Sequence, residues 1–163
     1  MNINNISLFV FDFDGVLTND LVYLNQIGEE SVVCSRSDGL AFDVLRKLDK
    51  PAYILSTEKN PVVSMRAKKL KIEALQGVAD KVIAIKTLTS KINCSLNNVL
   101  YLGNDINDYL AMQLCGYKIC TADSHPKIKK ISDICLKSNG GDGAVRELIE
   151  DVLKIDFIKI LYK

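Results

Sequence analysis

Two aspartates separated by a single residue, Asp12 and Asp14, follow the apolar run of residues 6–11. An apolar run of this length is typical of a buried strand, so the carboxylates stand where that strand ends. Two carboxylates so close together repel each other unless a divalent cation neutralises them, and Mg²⁺ prefers such hard oxygen ligands. One aspartate can attack phosphorus while the other moves the proton of the leaving group. Magnesium-dependent phosphoryl transfer is therefore a chemistry that such a pair could serve, if further groups join it.

Further polar groups lie at equivalent places along the chain. Ser56 ends the apolar run of residues 52–55, the acidic segment of residues 103–108 follows another apolar run, and Lys81 opens a predicted helix. Each group alone is better explained by helix caps and turns. Together they indicate one site, because ligands bind beyond the carboxyl ends of parallel strands. A hydroxyl and a lysine supply the donors that a phosphoryl group needs for the charge on its three oxygens.

Short apolar runs alternate with amphipathic stretches along most of the chain, which predicts an α/β protein. Apolar runs between helical patterns are typical of a parallel sheet covered on both faces. We expect Ser37 or Asp38 to cap the first helix and His125 to start a later one. The predicted strands are residues 6–12, 52–56, 98–102, 117–120 and 134–136, and the predicted helices are residues 38–49, 60–70, 79–92, 106–114 and 142–154.

Two segments do not follow this alternation. Residues 21–34 contain two apolar stretches around a turn with Gly28, which predicts a protruding β-hairpin. The hairpin is more apolar than a solvated flap requires, so we expect it to be buried, and a second subunit is one partner that could cover it. Residues 155–162 fit either a final strand or a tail packed on a neighbour.

Composition limits the classes of function. The 163 residues fit a single domain spanning residues 1–163, and the net charge of +1 predicts neither nucleic-acid binding nor attraction to a membrane surface. No apolar stretch reaches the length of a membrane span, and no secretory leader is evident, so we expect a cytoplasmic protein. The five cysteines show no metal-ligand spacing and are expected to be reduced, small buried side chains: Cys34, Cys94, Cys115, Cys120 and Cys135.

The motif DFDGVLT of residues 12–18 resembles the first motif, DxDGxxT, of the haloacid dehalogenase superfamily. The resemblance extends over nearly the whole chain and implies a Rossmann-like three-layer sandwich with a central parallel sheet. It also implies that Asp12 is the nucleophile, that Asp14 is the general acid and base, and that Ser56 and Lys81 contact the phosphoryl group.

The same resemblance implies a Mg²⁺ site in which the ligands are the Asp12 carboxylate, the Asp14 backbone carbonyl and a carboxylate of the fourth motif. That motif reads GNDIND here, with Asn104 at the usual first acidic position, so Asp105 is the expected ligand. Asn104 and Asp108 are then expected just outside the ligands, with Asp108 orienting Lys81.

No cap domain is expected, because only 22 residues separate Gly15 from Asp38 and 24 separate Ser56 from Lys81. The hairpin and the segment GGDGAVRE of residues 140–147 resemble the capless phosphatases of 3-deoxy-D-manno-octulosonate 8-phosphate. In that family, hairpins assemble a homotetramer in which a neighbouring subunit covers each active site. The resemblance therefore implies a homotetramer here.

The octulosonate enzymes typically carry the sequence TGR where this chain has Ser56, Thr57 and Glu58. This version resembles the branch that acts on nine-carbon nonulosonate 9-phosphates, those of KDN and sialic acid, and this branch is our expected function. The expected substrate-binding residues are Gly15, Arg36, Thr57, Glu58 and Arg66. An octulosonate 8-phosphate phosphatase is the alternative, and a non-catalytic, tetramerising partner domain of a cytidylyltransferase is the alternative from a different class.

Overall fold

The central layer is a six-stranded parallel sheet. The structure is a computed structural model that describes all residues from 1 to 163. The strands of the sheet are β1 (Leu8–Phe11), β4 (Ala52–Leu55), β5 (Glu73–Leu75), β6 (Val99–Gly103), β7 (Tyr117–Cys120) and β8 (Ile134–Cys135), and a separate hairpin contains β2 (Tyr23–Leu24) and β3 (Glu30–Ser31). The order β5-β4-β1-β6-β7-β8 places β1 beside β6 in the middle of the sheet.

Helices cover both faces of this sheet, as predicted for a three-layer sandwich. The α-helices are α1 (Ser37–Lys47), α2 (Val62–Leu70), α3 (Lys81–Lys91), α4 (Tyr109–Leu114), α5 (Pro126–Ile131), α6 (Ala144–Glu147) and α7 (Phe157–Tyr162). Short 3₁₀ helices occupy Ile3–Asn5, Leu96–Asn98 and Ile106–Asp108, and a π-helical turn, Leu148–Val152, continues α6.

The two faces of β1 contribute to different hydrophobic cores. Phe9 and Phe11 pack with residues of α1, α2 and α6, whereas Leu8 and Val10 pack with residues of α3 and α4. This division follows from the alternation of side chains along a strand. Because all four β1 residues are fully buried, the end of the strand is held firmly in the middle of the molecule.

The chain leaves β1 towards β4 and β5 on one side and then crosses to β6 on the other. The crossing creates a topological switch point between the carboxyl ends of β1 and β6, where α/β sheets form their ligand crevice. Asp12 follows β1 at this point, and the segment of residues 103–108 begins at the last residue of β6.

The predicted hairpin is present between β1 and α1, and no inserted domain accompanies it. Tyr23 pairs with Ser31 and Leu24 with Glu30, and the Thr18–Cys34 bridge closes its base. The hairpin is exposed in the single chain, in contrast to the burial expected from its apolar sequence: Leu24 is 66% exposed and Ile27 is 80% exposed.

Several sequence predictions require correction. Residues 157–162 form α7, which packs on α1 of the same chain, so of the two alternatives for this segment the final strand is wrong. The short edge strand β5 was not predicted, because one exposed and two half-buried residues carry little pattern. Neither Ser37 nor Asp38 caps α1: Ser37 Oγ bonds Ser35 Oγ, and Asp38 Oδ1 accepts a backbone N–H of α6.

All five cysteines are free thiols, but only some are buried as expected. Cys115 and Cys120 are buried, Cys34 and Cys94 are half-buried, and Cys135 is exposed. His125 starts α5 as predicted, its Nδ1 accepting the Lys127 N–H at 3.1 Å. None of the helices combines the length and apolar composition that crossing a bilayer requires.

Candidate active site

The loop after β1, residues 12–19 (the first-motif loop), is closed by its own hydrogen bonds. The N–H groups of Leu17 and Thr18 both donate to the Phe13 carbonyl, at 2.9 and 3.1 Å. The buried Thr18 Oγ1 accepts the N–H of Gly15 at 3.2 Å. The threonine of the DxDGxxT pattern therefore holds the loop in shape, and Asp12 is left almost fully buried at its start, with 3% exposure.

Gly15 is required by the close approach of the fourth motif. Its φ is +72°, a conformation that favours glycine, and a side chain there would collide with the amide of Asn104. Gly15 is therefore the point at which the first and fourth motifs pack against each other. The structure assigns it this packing role, whereas the substrate contact expected of it is untested.

Lys81 joins the first and fourth motifs through two buried ion pairs. Its Nζ lies 2.8 Å from Asp12 Oδ2 and 2.7 Å from Asp108 Oδ1, and its side chain is only 2% exposed. Asp80 caps α3 by accepting the N–H of Val82 at 2.7 Å, which makes Lys81 the first residue of the helix. The helix cap therefore sets the position from which the lysine reaches the ends of β1 and β6.

Asp108 has a partner on each oxygen. Besides Lys81, its Oδ1 accepts the Tyr101 hydroxyl at 2.8 Å, and its Oδ2 accepts the Asn104 N–H at 2.9 Å. This geometry is that of a residue that orients Lys81, as the resemblance implied. Sequence reasoning missed Tyr101, although a tyrosine inside an otherwise apolar strand signals a hydroxyl that needs a buried partner.

Burial and charge act in opposite directions in this cluster. Burial raises the pKa of Asp12, the neighbouring Asp108 carboxylate raises it further, and Lys81 opposes both effects. Burial lowers the pKa of Lys81, but the carboxylates of Asp12 and Asp108 outweigh it, so the pKa lies above its ordinary value. Lys81 is therefore a permanent cation beside Asp12, and two carboxylates share its single charge.

Asp14 lies in a more open and more acidic environment than Asp12. Burial raises the pKa of Asp14, and the negative charges of Glu58 and Asp20 raise it further. A carboxyl group with a raised pKa retains a proton closer to neutral pH, which suits a general acid. Asp20 was not singled out from the sequence, although it directly follows the first motif, and its φ of +62° marks the turn that places it there.

The residues at the switch point fit a divalent cation through oxygen atoms. The buried Asn104 Oδ1 has no hydrogen-bond partner, while the carboxylates of Asp12 and Asp105 and the backbone of Asp14 belong to the same two loops. No group of three or more histidine, cysteine, aspartate or glutamate side chains is close enough to hold a metal by itself. Asp105 is exposed, and its Oδ1 accepts the N–H of Ile106. Asn104 is buried, and its amide oxygen is free to bind a cation.

The segment after β4 adds a hydroxyl and a further carboxylate. Ser56 is buried, and its Oγ accepts the Glu58 N–H at 3.0 Å. Glu58 Oε1 in turn accepts the N–H groups of Lys59 and Asn60, at 2.6 and 2.7 Å, which closes the loop. Thr57 is exposed between them. Glu58 thus has a structural role in its own loop, and its charge also acts on Asp14.

The two arginines expected to bind substrate line a groove and are not partners of the carboxylate–lysine cluster. Arg36 and Arg66 line a groove of about 350 Å³ between α1 and α2, whose lining includes Lys69 but none of the buried acidic residues at the switch point. Arg66 Nη2 donates to the Ser35 carbonyl at 2.6 Å, which ties α2 to the base of the hairpin. Neither arginine makes an ion pair or a hydrogen bond with Asp12, and both remain candidates for binding another part of the substrate.

Comparison with known proteins identifies the family. The sequence profile of haloacid dehalogenase-like hydrolases matches residues 42–148. The 3-deoxy-D-manno-octulosonate 8-phosphate phosphatase of Escherichia coli is 34% identical over 150 residues, covering 91% of this chain and 80% of the relative.

Solved structures agree with the sequence comparison. A HAD family hydrolase from Streptomyces avermitilis is similar with a TM-score of 0.90 and 39% identity, covering 92% of this chain and 86% of that one. The 3-deoxy-D-manno-octulosonate 8-phosphate phosphatase of Moraxella catarrhalis, solved with a magnesium ion, a phosphate ion and KDO, is similar with a TM-score of 0.88 and 32% identity, covering 93% and 88%.

These findings favour an enzyme over a non-catalytic partner domain. The matched family consists of hydrolases. The similar curated proteins are phosphatases, and the match covers 80% of their own length. The buried Lys81 ion pairs, Asp14 and Ser56 lie at the switch point where such a site is expected. The chain therefore belongs to the haloacid dehalogenase-like hydrolase family and is a phosphoric monoester hydrolase of the octulosonate 8-phosphate phosphatase type.

Proposed function

We propose that the protein hydrolyses the phosphate ester of a 2-keto-3-deoxy sugar acid, and that its substrate is 3-deoxy-D-manno-octulosonate 8-phosphate. The observation that carries the chemistry is the placement of Asp12, Asp14 and Lys81 around one point at the end of β1. The substrate is supported by the similarity to octulosonate 8-phosphate phosphatases over 91% of the chain.

In this proposal, the Asp12 carboxylate attacks the phosphorus atom. The bond between phosphorus and the sugar oxygen breaks, and an aspartyl-phosphate forms, so that hydrolysis is divided into two easier steps. Lys81 holds Asp12 through the 2.8 Å ion pair, and the Ser56 hydroxyl is available to a phosphoryl oxygen. Water then attacks the same phosphorus atom and releases phosphate.

Asp14 moves the proton in both steps. Its raised pKa allows it to donate a proton to the sugar oxygen as that oxygen leaves. The resulting carboxylate then accepts a proton from the attacking water, which returns Asp14 to its starting state. Its position beside Glu58 and Asp20, outside the Lys81 ion pairs, leaves it able to take up and release the proton.

Mg²⁺ is the cation we propose for this site, because the donors are oxygens and the similar Moraxella phosphatase was solved with magnesium. The Asp12 carboxylate, the Asp14 carbonyl and the Asp105 carboxylate would hold it, and the Asn104 amide oxygen is a further donor. When bound, it would neutralise the carboxylates and the charge of the phosphoryl oxygens.

A nine-carbon substrate is the second candidate, and Glu58 is the observation that favours it. The octulosonate enzymes typically place an arginine in the corresponding sequence, which suits a substrate carboxylate. Glu58 instead presents an acceptor for sugar hydroxyls close to Asp14, as its influence on the pKa of Asp14 indicates. Thr57 would contribute a further hydroxyl from the same loop.

We also propose that the protein works as a homotetramer in which the hairpin of one subunit covers the site of another. Apolar side chains are exposed along the hairpin, and burying them would remove that area from water. Arg66 Nη2 donates to the Ser35 carbonyl at the base of the hairpin, so a neighbouring chain that covers the hairpin would also lie beside this arginine.

Kinetics on both substrates tests the proposal. Phosphate release is measured with Mg²⁺ on the eight-carbon 8-phosphate and on the 9-phosphates of KDN and sialic acid. A higher kcat/KM for the eight-carbon ester supports the main proposal, and a higher value for a nine-carbon ester replaces it with the second candidate. Absence of hydrolysis of all three would refute the substrate class.

The variant Glu58→Arg examines how the loop after β4 selects between them. If this loop reads the substrate, the ratio of the two kcat/KM values shifts towards the eight-carbon ester by about tenfold, which is about 1.4 kcal/mol. Glu73→Arg, an exposed acid paired with Lys91 on the sheet edge, is the matched control and leaves the ratio unchanged. An unchanged ratio in Glu58→Arg would show that selection occurs elsewhere.

A further inference from the structure

Asp38 is a fully buried carboxylate that the proposed chemistry does not use. It lies in the first turn of α1, directly after the hairpin, and its exposure is 0%. Its Oδ1 accepts the backbone N–H of Arg146 at 3.0 Å, a residue 108 positions away in the sequence. Asp38 therefore caps α6, not its own helix, and it connects the return of the hairpin to the last part of the chain.

The segment that α6 follows packs directly on the first-motif loop. Gly141 donates its N–H to the Val16 carbonyl at 3.0 Å. A side chain at Gly140 would collide with the backbone carbonyls of Gly15 and Thr18. Residues 140–143, the glycine platform, therefore lie against the back of the loop that carries Asp14.

The platform is held at both ends by carboxylates. At its start, Asp123 Oδ1 accepts the Gly140 N–H at 3.0 Å. At its end, Gly143 has a φ of +90° and leaves no room for a side chain, since a Cβ would lie 2.7 Å from Ser37 Oγ. Asp38 then holds the first turn of α6 immediately beyond, and no other side chain makes a hydrogen bond to the backbone of that turn.

The placement of Asp38 costs stability. Its Oδ2 is buried without a hydrogen-bond partner, and burial raises its pKa to about 6 despite the N–H donors of α6 and the nearby Arg66 charge. Burying a carboxyl group with an oxygen that has no hydrogen bond lowers the free energy of unfolding, so stability does not explain its presence. Such a cost is expected where a residue fixes a functional part of the structure.

We propose that Asp38 is a positioning residue for the phosphatase reaction: by anchoring α6 it holds the glycine platform, and through it the first-motif loop, in the geometry that Asp14 needs. The effect passes through backbone contacts, so Asp38 touches neither substrate nor metal. The inference rests on the phosphatase activity, but not on the choice between eight- and nine-carbon substrates.

The test compares Asp38→Ala with Asp38→Asn and with the control Asp43→Ala, an exposed acid of the same helix. Asp38→Ala removes the acceptor and lowers kcat by about tenfold or more, with KM changed less than about threefold, because small misplacements of reacting groups cost rate more than binding. Asp38→Asn keeps an acceptor oxygen and restores kcat to within about threefold of the wild type. Asp43→Ala leaves kcat unchanged, because Asp43 pairs with Arg46 on its own helix and makes no hydrogen bond with α6.

Hydrogen exchange supplies a readout independent of activity. In Asp38→Ala, the amides of Arg146 and Gly141 exchange about tenfold faster or more, since their acceptors are lost or displaced. In Asp43→Ala they exchange as in the wild type. Circular dichroism and a thermal melt confirm that the variants compared are folded.

Several outcomes would overturn the inference. They are an unchanged kcat in folded Asp38→Ala, a loss of kcat that Asp38→Asn does not restore, or a loss that appears only in KM. If Asp38→Ala does not fold, Gly143→Ala breaks the same connection from the platform side, and an unchanged kcat in that variant is equally decisive. A wild-type protein that hydrolyses neither the sugar acid phosphates nor p-nitrophenyl phosphate refutes the proposed function itself, which separates the two failures.

Discussion

The cluster around Lys81 and the hairpin of residues 21–34 solve opposite physical problems. In the cluster, charged groups are buried, and each finds a partner within 2.8 Å in the same chain. In the hairpin, apolar groups are exposed, with Tyr23 63% and Leu24 66% accessible to solvent. Burying the charges of the cluster is unfavourable by itself, and the ion pairs within the chain compensate for it. The apolar surface of the hairpin has no such partner within the chain.

The difference indicates that different parts of the molecule carry out the reaction and select the substrate. The groups that act on phosphorus are brought together by one chain, because they lie at the ends of adjacent strands. The groups proposed to read the sugar, such as Glu58 and Arg66, lie on loops and helices around that centre. Four predictions test this contrast between the two regions, and they follow in decreasing order of effect.

Asp12→Asn is expected to abolish the chemistry without unfolding the protein. The amide keeps the shape of the side chain but is a poor nucleophile, so phosphate release falls by about a thousandfold or more. The measurement is the steady-state rate with Mg²⁺ on p-nitrophenyl phosphate, with Asp43→Asn as the control. A residual rate above a tenth of the wild-type value would mean that Asp12 is not the nucleophile.

Lys81→Met is expected to destabilise the folded state as well as the reaction. It leaves the carboxylates of Asp12 and Asp108 buried without their shared cation, which costs about 3 to 5 kcal/mol in the free energy of unfolding. Urea denaturation in the absence of metal measures this loss. Lys81→Met with Asp108→Asn recovers part of it, because one of the two repelling charges is removed, and a double variant less stable than Lys81→Met would contradict the explanation.

Asp38, which lies between the two regions, should give the stability a distinct pH dependence. Its pKa is raised from 3.8 to about 6 in the folded protein, so the folded state holds the proton more tightly than the unfolded state. The resulting stability is present below about pH 4 and is lost as the pH rises through about 6. The groups that face Asp38 are Arg66 on α2, Cys34 at the hairpin base and the backbone N–H groups of Val145 and Arg146.

Asp38→Asn removes this titration. Relative to the wild type, its free energy of unfolding should increase by up to about 3 kcal/mol between pH 4 and pH 8. Urea denaturation of both proteins across this range gives the difference, and Asp43→Asn provides the baseline for an exposed acid of the same helix. A difference that stays constant with pH would show that Asp38 keeps an ordinary pKa when folded.

Leu24→Glu tests whether the hairpin is an interface. A charge in the middle of its apolar surface should dissociate the proposed tetramer, detected by sedimentation or light scattering, and lower kcat/KM for the sugar acid phosphate by about tenfold. Ile158→Glu on α7, where the wild-type side chain is 68% exposed, is the matched control. A wild-type protein that sediments as a monomer would disprove the tetramer.

Much of the fold could be predicted because its signals are local. Of the five strands found by pattern, β1, β4, β6 and β7 are apolar runs in the inner part of the sheet, and β8 is at one edge. The residues that follow β1, β4 and β6 are polar because they build the candidate site, and not only because they form turns. The three-residue edge strand β5 and the helix α7 were missed because their apolar faces are short and only partly buried. Burial in these elements depends on neighbours far away in the sequence.

The same distinction applies to the site. Asp12, Asp14 and Lys81 could be singled out because their types and spacing are unusual at strand ends. Tyr101, Thr18 and the glycine platform could not be assigned a role in the same way, since each acts through a partner on another element. Asp38 is the clearest example. An aspartate in the first turn of a helix is expected to cap that helix, but its carboxylate accepts the backbone N–H of Arg146, 108 residues away.

The reaction class could be inferred from the residues alone, since a carboxylate pair behind a buried strand, a distant lysine and an acidic fourth segment are the groups of a phosphoryl-transfer site. Which of these groups contact each other follows only from the packed fold. It divides the single charge of Lys81 between Asp12 and Asp108, directs Asp38 to α6, and ties Arg66 to the base of the hairpin. These outcomes depend on the order in which the strands are assembled, and that order is a property of the packed sheet that no short segment contains.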